Sequence, residues 1–459
     1  MRVPRSLVVL IAVAIIVRLG AFWFAIDTVG IEGFVRGDAI GYVELATNLS
    51  HGNGFVASIQ GVPTTEVFRT PGLPLLIAPF TFLPSGVLAY GFFMSILAGA
   101  LLPMLTYALG RRVAGESAGM IAATLLAFEP HAVMYSFLPQ TEVPFMIFSL
   151  AGLAATIVAH ERLSYLYAVF AGALLAYAAF IRPGLFPIFA VLAFGTIAFQ
   201  IYRRDRFLLT SAILLVFVAS LIPWHVRNYA VSGAFALSGQ GWRNVYTDYV
   251  SSVRSLENDT PYYEEKEKLK QEALPRFGIT RAGVNDPKNA NILRDAALKE
   301  MWEHKFTVLK LEAALLTTFF FNDGYYYEFR YLGYLTDSGA PHISPTYEIL
   351  RNGLGALPAI TGELARQAFI PLWGRFFTIG TFALAAFGFF LVRTPVRYVL
   401  IAAIGLFALT STAIGLGLDA RLRIPVEPLI FIFASAAIVW LSQRVRSFYA
   451  SRYLHSRVQ

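Results

Sequence analysis

Ten stretches of this chain are long and apolar enough that they leave it few ways to fold. They are Leu7–Ile26, Ser85–Gly110, Ser117–Phe128 with its flanks, Val143–Ala159, Leu163–Ile181, Pro183–Tyr202, Phe207–Trp224, Phe376–Val392, Tyr398–Leu418 and Ile424–Leu441. Crossing a bilayer takes roughly 20 mostly apolar residues, and in hydrocarbon each span must pair its own backbone groups, which for such runs means helices. Leu73–Phe82 is too short to add a span and leads into the second one at an angle. Charged residues make up only 14% of the 459 positions, against roughly 25% in soluble proteins. The expected class is an all-α integral membrane protein.

Other features narrow the reading. There is no cysteine, so disulfides, thiolate metal sites and thiol nucleophiles are excluded. The N-terminal apolar run is interrupted by Arg18 and lacks a small-x-small site after it, so it reads as an uncleaved anchor. Net charge is +8, but the excess lies in short clusters beside apolar runs, a topology signal and not a nucleic-acid one.

Those clusters orient the chain. Arg2 and Arg5, Arg111–Arg112, Glu161–Arg162, Arg203–Arg206, Arg393–Arg397 and the tail Gln443–Arg457 fall on one side, which the positive-inside rule makes cytoplasmic. Five polar regions then face outward: the loop Arg36–Pro74, Glu129–Glu142, the turn Arg182–Gly184, the interval Arg227–Arg375, and Asp419–Arg423. The expected organisation is an N-terminal membrane module over 1–228 with its first outer loop at 27–74. An extracytoplasmic domain over 229–375 follows, then spans over 376–443 and a basic tail over 444–459. Asn289–Phe321 reads as one helix growing steadily more apolar, dipping into the membrane near 305–321. If it crossed, a second span within Leu354–Trp373 would have to return the chain.

The first outer loop holds Asp38, Glu44, His51, Glu66 and Arg69 between two hydrocarbon-like runs. Asp38 can cap the helix that starts near Ala39, or, with Tyr42 one turn on, accept a proton from a substrate hydroxyl. Arg69 can snorkel to headgroups or grip a phosphate, with Glu66 as its ion-pair partner. The same choice holds for Arg182 and for Arg227–Asn228, which follow apolar runs. Arg421 and Arg423 place positive charge in an outer loop, explained by an anion there or by pairing with Asp419 or Glu427. His131, Glu142 and His225 lie near span ends at spacings that do not specify a metal site; Arg18 is a membrane-embedded charge expected to pair with an acid of another helix. The chain carries no GxxxxGK[ST], GxSxG or HExxH motif.

Four stretches carry a resemblance across Gly37–Pro428: GDAIGYVELATNLSHGNGF with FRTPGLPLLIAPF, FLPQTEVPFMIFSL, PWHVRNYAVSGAFALSGQG, and ARLRIPVEP. With these, the chain resembles the GT-C membrane glycosyltransferases, in the bacterial branch that groups protein O-mannosyltransferases with the lipid A aminoarabinose transferase. The resemblance implies a multi-span GT-C bundle with polar extracytoplasmic loops and a small outer domain. It also implies a polyprenyl-phosphate sugar donor and an extracytoplasmic site, in a bacterial inner membrane facing the periplasm. Asp38 matches the acid taken as base; Tyr42, Arg69, Arg227, Arg421 and Arg423 match donor-phosphate binders; Glu66, His131, Glu142 and Arg182 are further substrate-contact candidates. Protein mannosyltransferases commonly show Asp-Glu at the first motif, whereas Ala39 follows Asp38 here. That points toward lipid or glycan acceptors of the cell envelope, with a protein acceptor as the alternative. Without a DxD at this loop, no essential metal or other cofactor is expected, and no nucleic-acid partner. A transporter or flippase of a lipid-linked anion, or an inactive scaffold, are the competing readings. The flippase predicts mid-membrane charges and repeated halves; here the charges gather at span ends.

Overall fold

The computed structural model describes residues 4–59, 62–202, 207–280, 283–322, 324–325, 329, 345–356, 358 and 369–455. The chain begins with α1 (Arg5–Val29), α2 (Asp38–Ser50), the antiparallel hairpin β1 (Val56–Ile59) and β2 (Val62–Thr65), and α3 (Gly72–Ile77). Next come α4 (Gly86–Ala114), α5 (Glu116–Phe128), α6 (Pro130–Met134), α7 (Glu142–Arg162), α8 (Tyr165–Ile181), α9 (Leu185–Tyr202) and α10 (Phe207–Ser232). The outer interval holds α11 (Gln240–Asn244), α12 (Val250–Asn258), α13 (Tyr262–Phe277), α14 (Ala290–Glu303), α15 (Lys305–Phe321) and α16 (Pro345–Asn352). Helices α17 (Phe369–Leu391), α18 (Val396–Ser411) and α19 (Glu427–His455) complete the chain.

All ten apolar stretches are helical. Among the described residues, eight helical stretches are long and apolar enough to cross a membrane, and α5 and α8 are shorter apolar helices of 13 and 17 residues. The protein is therefore an integral, multi-pass membrane protein. Helices α1, α4, α5 and α19 pack in sequence, as do α4, α7, α8 and α10. Between helices in lipid the attraction is close packing, which small residues permit. At Gly388 of α17, a side-chain carbon would sit 1.8 Å from the Phe433 carbonyl oxygen of α19, so only glycine allows that approach.

Arg18 explains why α5 stops early. It is fully buried, and its guanidinium donates to the carbonyls of Ala127 (3.0 Å) and Leu126 (3.5 Å) and to Ser136 Oγ (3.0 Å). The expected partner was an acid on another helix. The main partners are instead carbonyls left open at a helix end, with Glu129 adding its charge. Pro130 follows at once, and residues 131–147 are buried throughout. The second outer segment is thus a packed turn that reaches back into the bundle.

The outer interval also differs in detail. α10 runs four residues past the expected boundary at 228, and the single helix expected over Asn289–Phe321 breaks at His304 into α14 and α15. Most of the return segment considered within 354–373 lies outside the described residues. The outer helices share a core of Tyr246, Val250, Leu269, Ala273, Leu293 and Ala297. Arg254 ties them together through Glu300 (2.5 Å) and Glu272 (2.9 Å). They are also fastened to the bundle: Ser252 Oγ accepts from the Leu416 N–H (2.8 Å), and Glu312 accepts from Tyr249 (3.0 Å) and Thr412 (2.9 Å).

Candidate functional site

The first outer loop is held from below by Phe34. It is buried beside Phe22 and Phe137, with ring centroids 5.8 and 5.7 Å away. That contact anchors the short turn Ile31–Phe34 that precedes α2. The residue before it, Gly37, occupies the cap position, so Asp38 is the first helical residue and not the cap. An acid there is favoured by the positive end of the helix dipole and remains exposed.

The hairpin is pinned to α2 by Asn48 Nδ2 donating to the Val56 carbonyl (2.7 Å) and the Ser58 N–H donating to Glu44 (2.6 Å). Beyond it, Glu66 accepts from the backbone N–H groups of Phe68 (2.6 Å) and Arg69 (3.2 Å) and pairs with the Arg69 guanidinium (3.4 Å). This tight turn lays Arg69 across α2, 5.5 Å from the Tyr42 ring. Gly41 makes room: a side-chain carbon there would lie 2.7 Å from Arg69 Cζ.

Two further arginines, with three ion pairs between them, converge on the same place. Arg182 donates to Glu142 Oε1 (2.7 Å) and to Thr141 Oγ1 (2.9 Å), at the starting turn of α7. Arg421 bridges Asp38 (3.7 Å) and Asp419 (3.4 Å), and Glu142 also acts on its charge. Tyr42 sits among them, its hydroxyl pushed up to about 12 by burial and by Asp38, against the opposing pull of Arg69 and Arg182. Asp38, Tyr42, Arg69, Glu142, Arg182 and Arg421 therefore form one cluster, drawn from α2, the turn after the hairpin, α7, the end of α8 and the segment before α19. Exposed Asp38 can accept a proton, and three guanidinium groups can meet an anion beside it.

The remaining candidates lie in supporting positions. Arg227 donates to the Glu66 carbonyl (2.6 Å), the Phe55 carbonyl (3.4 Å) and Asn228 (2.7 Å), with its guanidinium over Trp224 (4.7 Å). It straps the first loop to α10. Arg423 does not join Arg421: it is buried, pairs with Glu427 (3.1 Å), and donates to the Phe319 and Asn322 carbonyls at the end of α15 (2.9 and 2.6 Å). Both pairings considered for the outer arginines, Arg421–Asp419 and Arg423–Glu427, are present. His225 bonds the Leu221 carbonyl and stands apart from the cluster.

His131 belongs to a second, buried network. Its Nδ1 meets Glu129 Oε1 (2.9 Å), Tyr325 donates to the same oxygen (3.0 Å), and the His131 and Tyr325 rings stack at 4.6 Å. The Ala132 N–H donates to Glu129 Oε2 (2.6 Å). Burial alone would raise the Glu129 carboxyl, but the charge and hydrogen bond of His131 hold it below its ordinary value. Ligand atoms of Glu129, His131 and Glu427 lie within 4.8 Å of one another, the grouping among the described residues that could hold a metal ion. Sequence reading missed Glu129, Tyr325 and Asp419 as site residues. For Glu129 the available signal was Glu-Pro-His directly after an apolar run.

Comparison with known proteins bears on the architecture. The family model for dolichyl-phosphate-mannose-protein mannosyltransferase matches residues 69–224, about a third of the chain. No curated protein matches it. Among solved structures, the Archaeoglobus fulgidus oligosaccharyltransferase tethered with an acceptor peptide has TM-score 0.50 at 13% identity, over 95% of this chain and 50% of that one. Archaeoglobus fulgidus AglB with an inhibitory peptide and dolichol-phosphate has TM-score 0.49 at 13% identity, covering 96% and 52%. ArnT from Cupriavidus metallidurans bound to undecaprenyl phosphate has TM-score 0.37 at 12%, covering 94% and 77%. The chain spans about half the length of the oligosaccharyltransferases it matches. At the level of architecture, 95% of the chain shares the fold of the Archaeoglobus fulgidus oligosaccharyltransferase.

Proposed function

We propose that the protein transfers a single sugar from a polyprenyl-phosphate donor to a hydroxyl of a lipid or glycan acceptor, on the extracytoplasmic membrane face. The observation that carries this reading is the exposed Asp38 carboxylate at the start of α2, with Arg421 3.7 Å away and Arg69 laid over the same helix. The family match over residues 69–224 supports it.

In this mechanism Asp38 takes the proton of the acceptor hydroxyl as the oxygen bonds to the anomeric carbon. The bond from that carbon to the phosphate oxygen breaks, and the electron pair leaves with the polyprenyl phosphate, inverting the configuration. Arg421, Arg69 and Arg182 stabilise the charge that grows on the phosphate, where fixed donors away from bulk water act most strongly. Tyr42 presents a hydroxyl that stays protonated. Arg227 and Arg423 hold the backbone that carries these groups and are positioning residues. Glu66 does the same for Arg69.

A metal at Glu129, His131 and Glu427 is the second reading the geometry raises. Against it, both Glu129 oxygens already have hydrogen-bond partners and Arg423 already neutralises Glu427. We therefore place no metal in the transfer step.

The test is transfer in proteoliposomes supplied with native lipid extract, comparing wild type with Asp38→Asn and reading single-sugar mass gains on acceptors. Transfer by wild type with a loss of 100-fold or more in the folded variant, about the contribution of a general base, is expected. Equal transfer by both removes Asp38 from the chemistry. Lipid translocation without transfer by either moves the protein to the flippase class, and transfer to protein serine or threonine replaces the acceptor.

A further inference from the structure

The corner where α14 meets α15 carries an apolar surface with no counterpart in the transfer chemistry. Trp302, Phe306 and Leu309 are 75%, 74% and 69% exposed. A soluble domain does not usually leave such a cluster bare. Lys305 sits between the two rings, its Nζ 5.2 Å from the Trp302 centroid and 5.7 Å from that of Phe306. Lys310 is exposed on the same helix.

The helical spacing shows what this face is for. Phe306, Leu309, Ala313, Thr317 and Phe321 follow one another at three- and four-residue steps and all are exposed, whereas Leu311, Leu315 and Phe319 are buried on the other side. The exposed stripe runs down α15 toward α17, which it packs against. α17 is itself long and apolar enough to span a membrane and exposes Phe376 and Ile379. The apolar face of α15 is therefore continuous with lipid-facing surface. Its upper end carries a tryptophan and two lysines, the residue types found where hydrocarbon gives way to headgroups.

We infer that the Trp302–Lys305–Phe306 corner, with Lys310, is a docking site for anionic phospholipid headgroups. The rings enter the interface, and the two ammonium groups meet phosphate from the leaflet on which the outer domain rests. The contact would fix the height of that domain above the bilayer, since Tyr249, Glu312 and Thr412 join α15 to both the domain and the bundle. This inference rests on the chain being embedded in a membrane and not on the transfer reaction.

Wild type and Trp302→Phe are reconstituted in phosphatidylcholine vesicles containing brominated phosphatidylcholine, with melting temperatures confirming that both fold. The expected result is that the emission lost with Trp302→Phe is quenched by lipid bromines and shielded from aqueous iodide. Quenching of that component by iodide alone, or shielding that appears only in native membranes with partner proteins present, overturns the inference. Separately, Lys305→Gln and Lys310→Gln are purified from mixed phosphatidylglycerol and phosphatidylcholine, and the retained lipids are weighed by mass spectrometry. Each is expected to lower the retained ratio of phosphatidylglycerol to phosphatidylcholine about fivefold, the worth of one lysine at a charged surface. An unchanged ratio in both overturns the headgroup assignment.

Discussion

Gly41→Ala separates the site's chemistry from its stability. Gly41 lies inside α2, where alanine is the better helix former by about 0.5–1 kcal/mol. The added methyl would lie 2.7 Å from Arg69 Cζ and 2.9 Å from both terminal nitrogens, so the guanidinium must move. Moving it forfeits the contact with Tyr42, about 0.5–1 kcal/mol, and the pair with Glu66, whose net worth at a partly exposed site is about 0–1 kcal/mol. Those losses nearly cancel the helix gain, so the melting temperature should stay within a few degrees of wild type. The charge-assisted hydrogen bond from Arg69 to a donor phosphate is worth about 1.5–3 kcal/mol, which is roughly 10- to 150-fold in kcat/KM. The assay is transfer kinetics against donor concentration, with Arg69→Ala alongside. Wild-type kcat/KM in Gly41→Ala with a large loss in Arg69→Ala would refute the placement of Arg69 over α2; no loss in either would refute its phosphate role.

Two other outcomes follow from the geometry. Chelation with EDTA should leave transfer unchanged, because hydrogen-bond donors already occupy both Glu129 oxygens and Arg423 pairs with Glu427 Oε1; a loss restored by a divalent cation would place a metal there. Burial would raise the Glu300 carboxyl, but Arg254 and Arg276 hold it below its ordinary value. Its contribution to the outer domain is present above the unfolded carboxyl value near pH 4.3 and is lost as pH falls through the lower folded value. Protection of α12–α14 against hydrogen exchange, taken relative to the intrinsic rate at each pH, should therefore fall on acidification below that range in wild type, while Glu300→Gln should be less protected at neutral pH and depend less on acid.

What the sequence revealed depended on the range of the forces involved. The ten apolar stretches were legible because burial in lipid acts on each segment alone, and local composition records it. The cluster of Asp38, Tyr42, Arg69, Glu142, Arg182 and Arg421 was legible in part, since polar residues at span ends on one side of a membrane have little choice but to share a face. Which arginine serves which purpose was not legible. Arg421 and Arg423 are two residues apart, yet one meets Asp38 and the other seals the end of α15. Arg227 and Arg69 are alike in local sequence, yet the Arg227 guanidinium is occupied by the carbonyls of Phe55 and Glu66, more than 160 positions away.

The buried turn after α5 shows the same limit more sharply. Read locally, His131 and Glu142 are outward polar residues near span ends whose simplest role is structural hydrogen bonding, and nothing nearby tells that the whole turn is buried. What allows the burial is Arg18, 109 residues before Ala127, which satisfies the carbonyls of a helix that ends inside the bundle. Once those carbonyls are satisfied, the turn can stay buried, and a buried Glu129 requires His131, Tyr325 and the Ala132 N–H around it. The membrane-embedded arginine that seemed to need an acid is thus the reason an acid can be buried. It follows that Arg18 and the Glu129 network are one structural unit. Substitutions at Arg18 should therefore couple energetically to substitutions at Glu129.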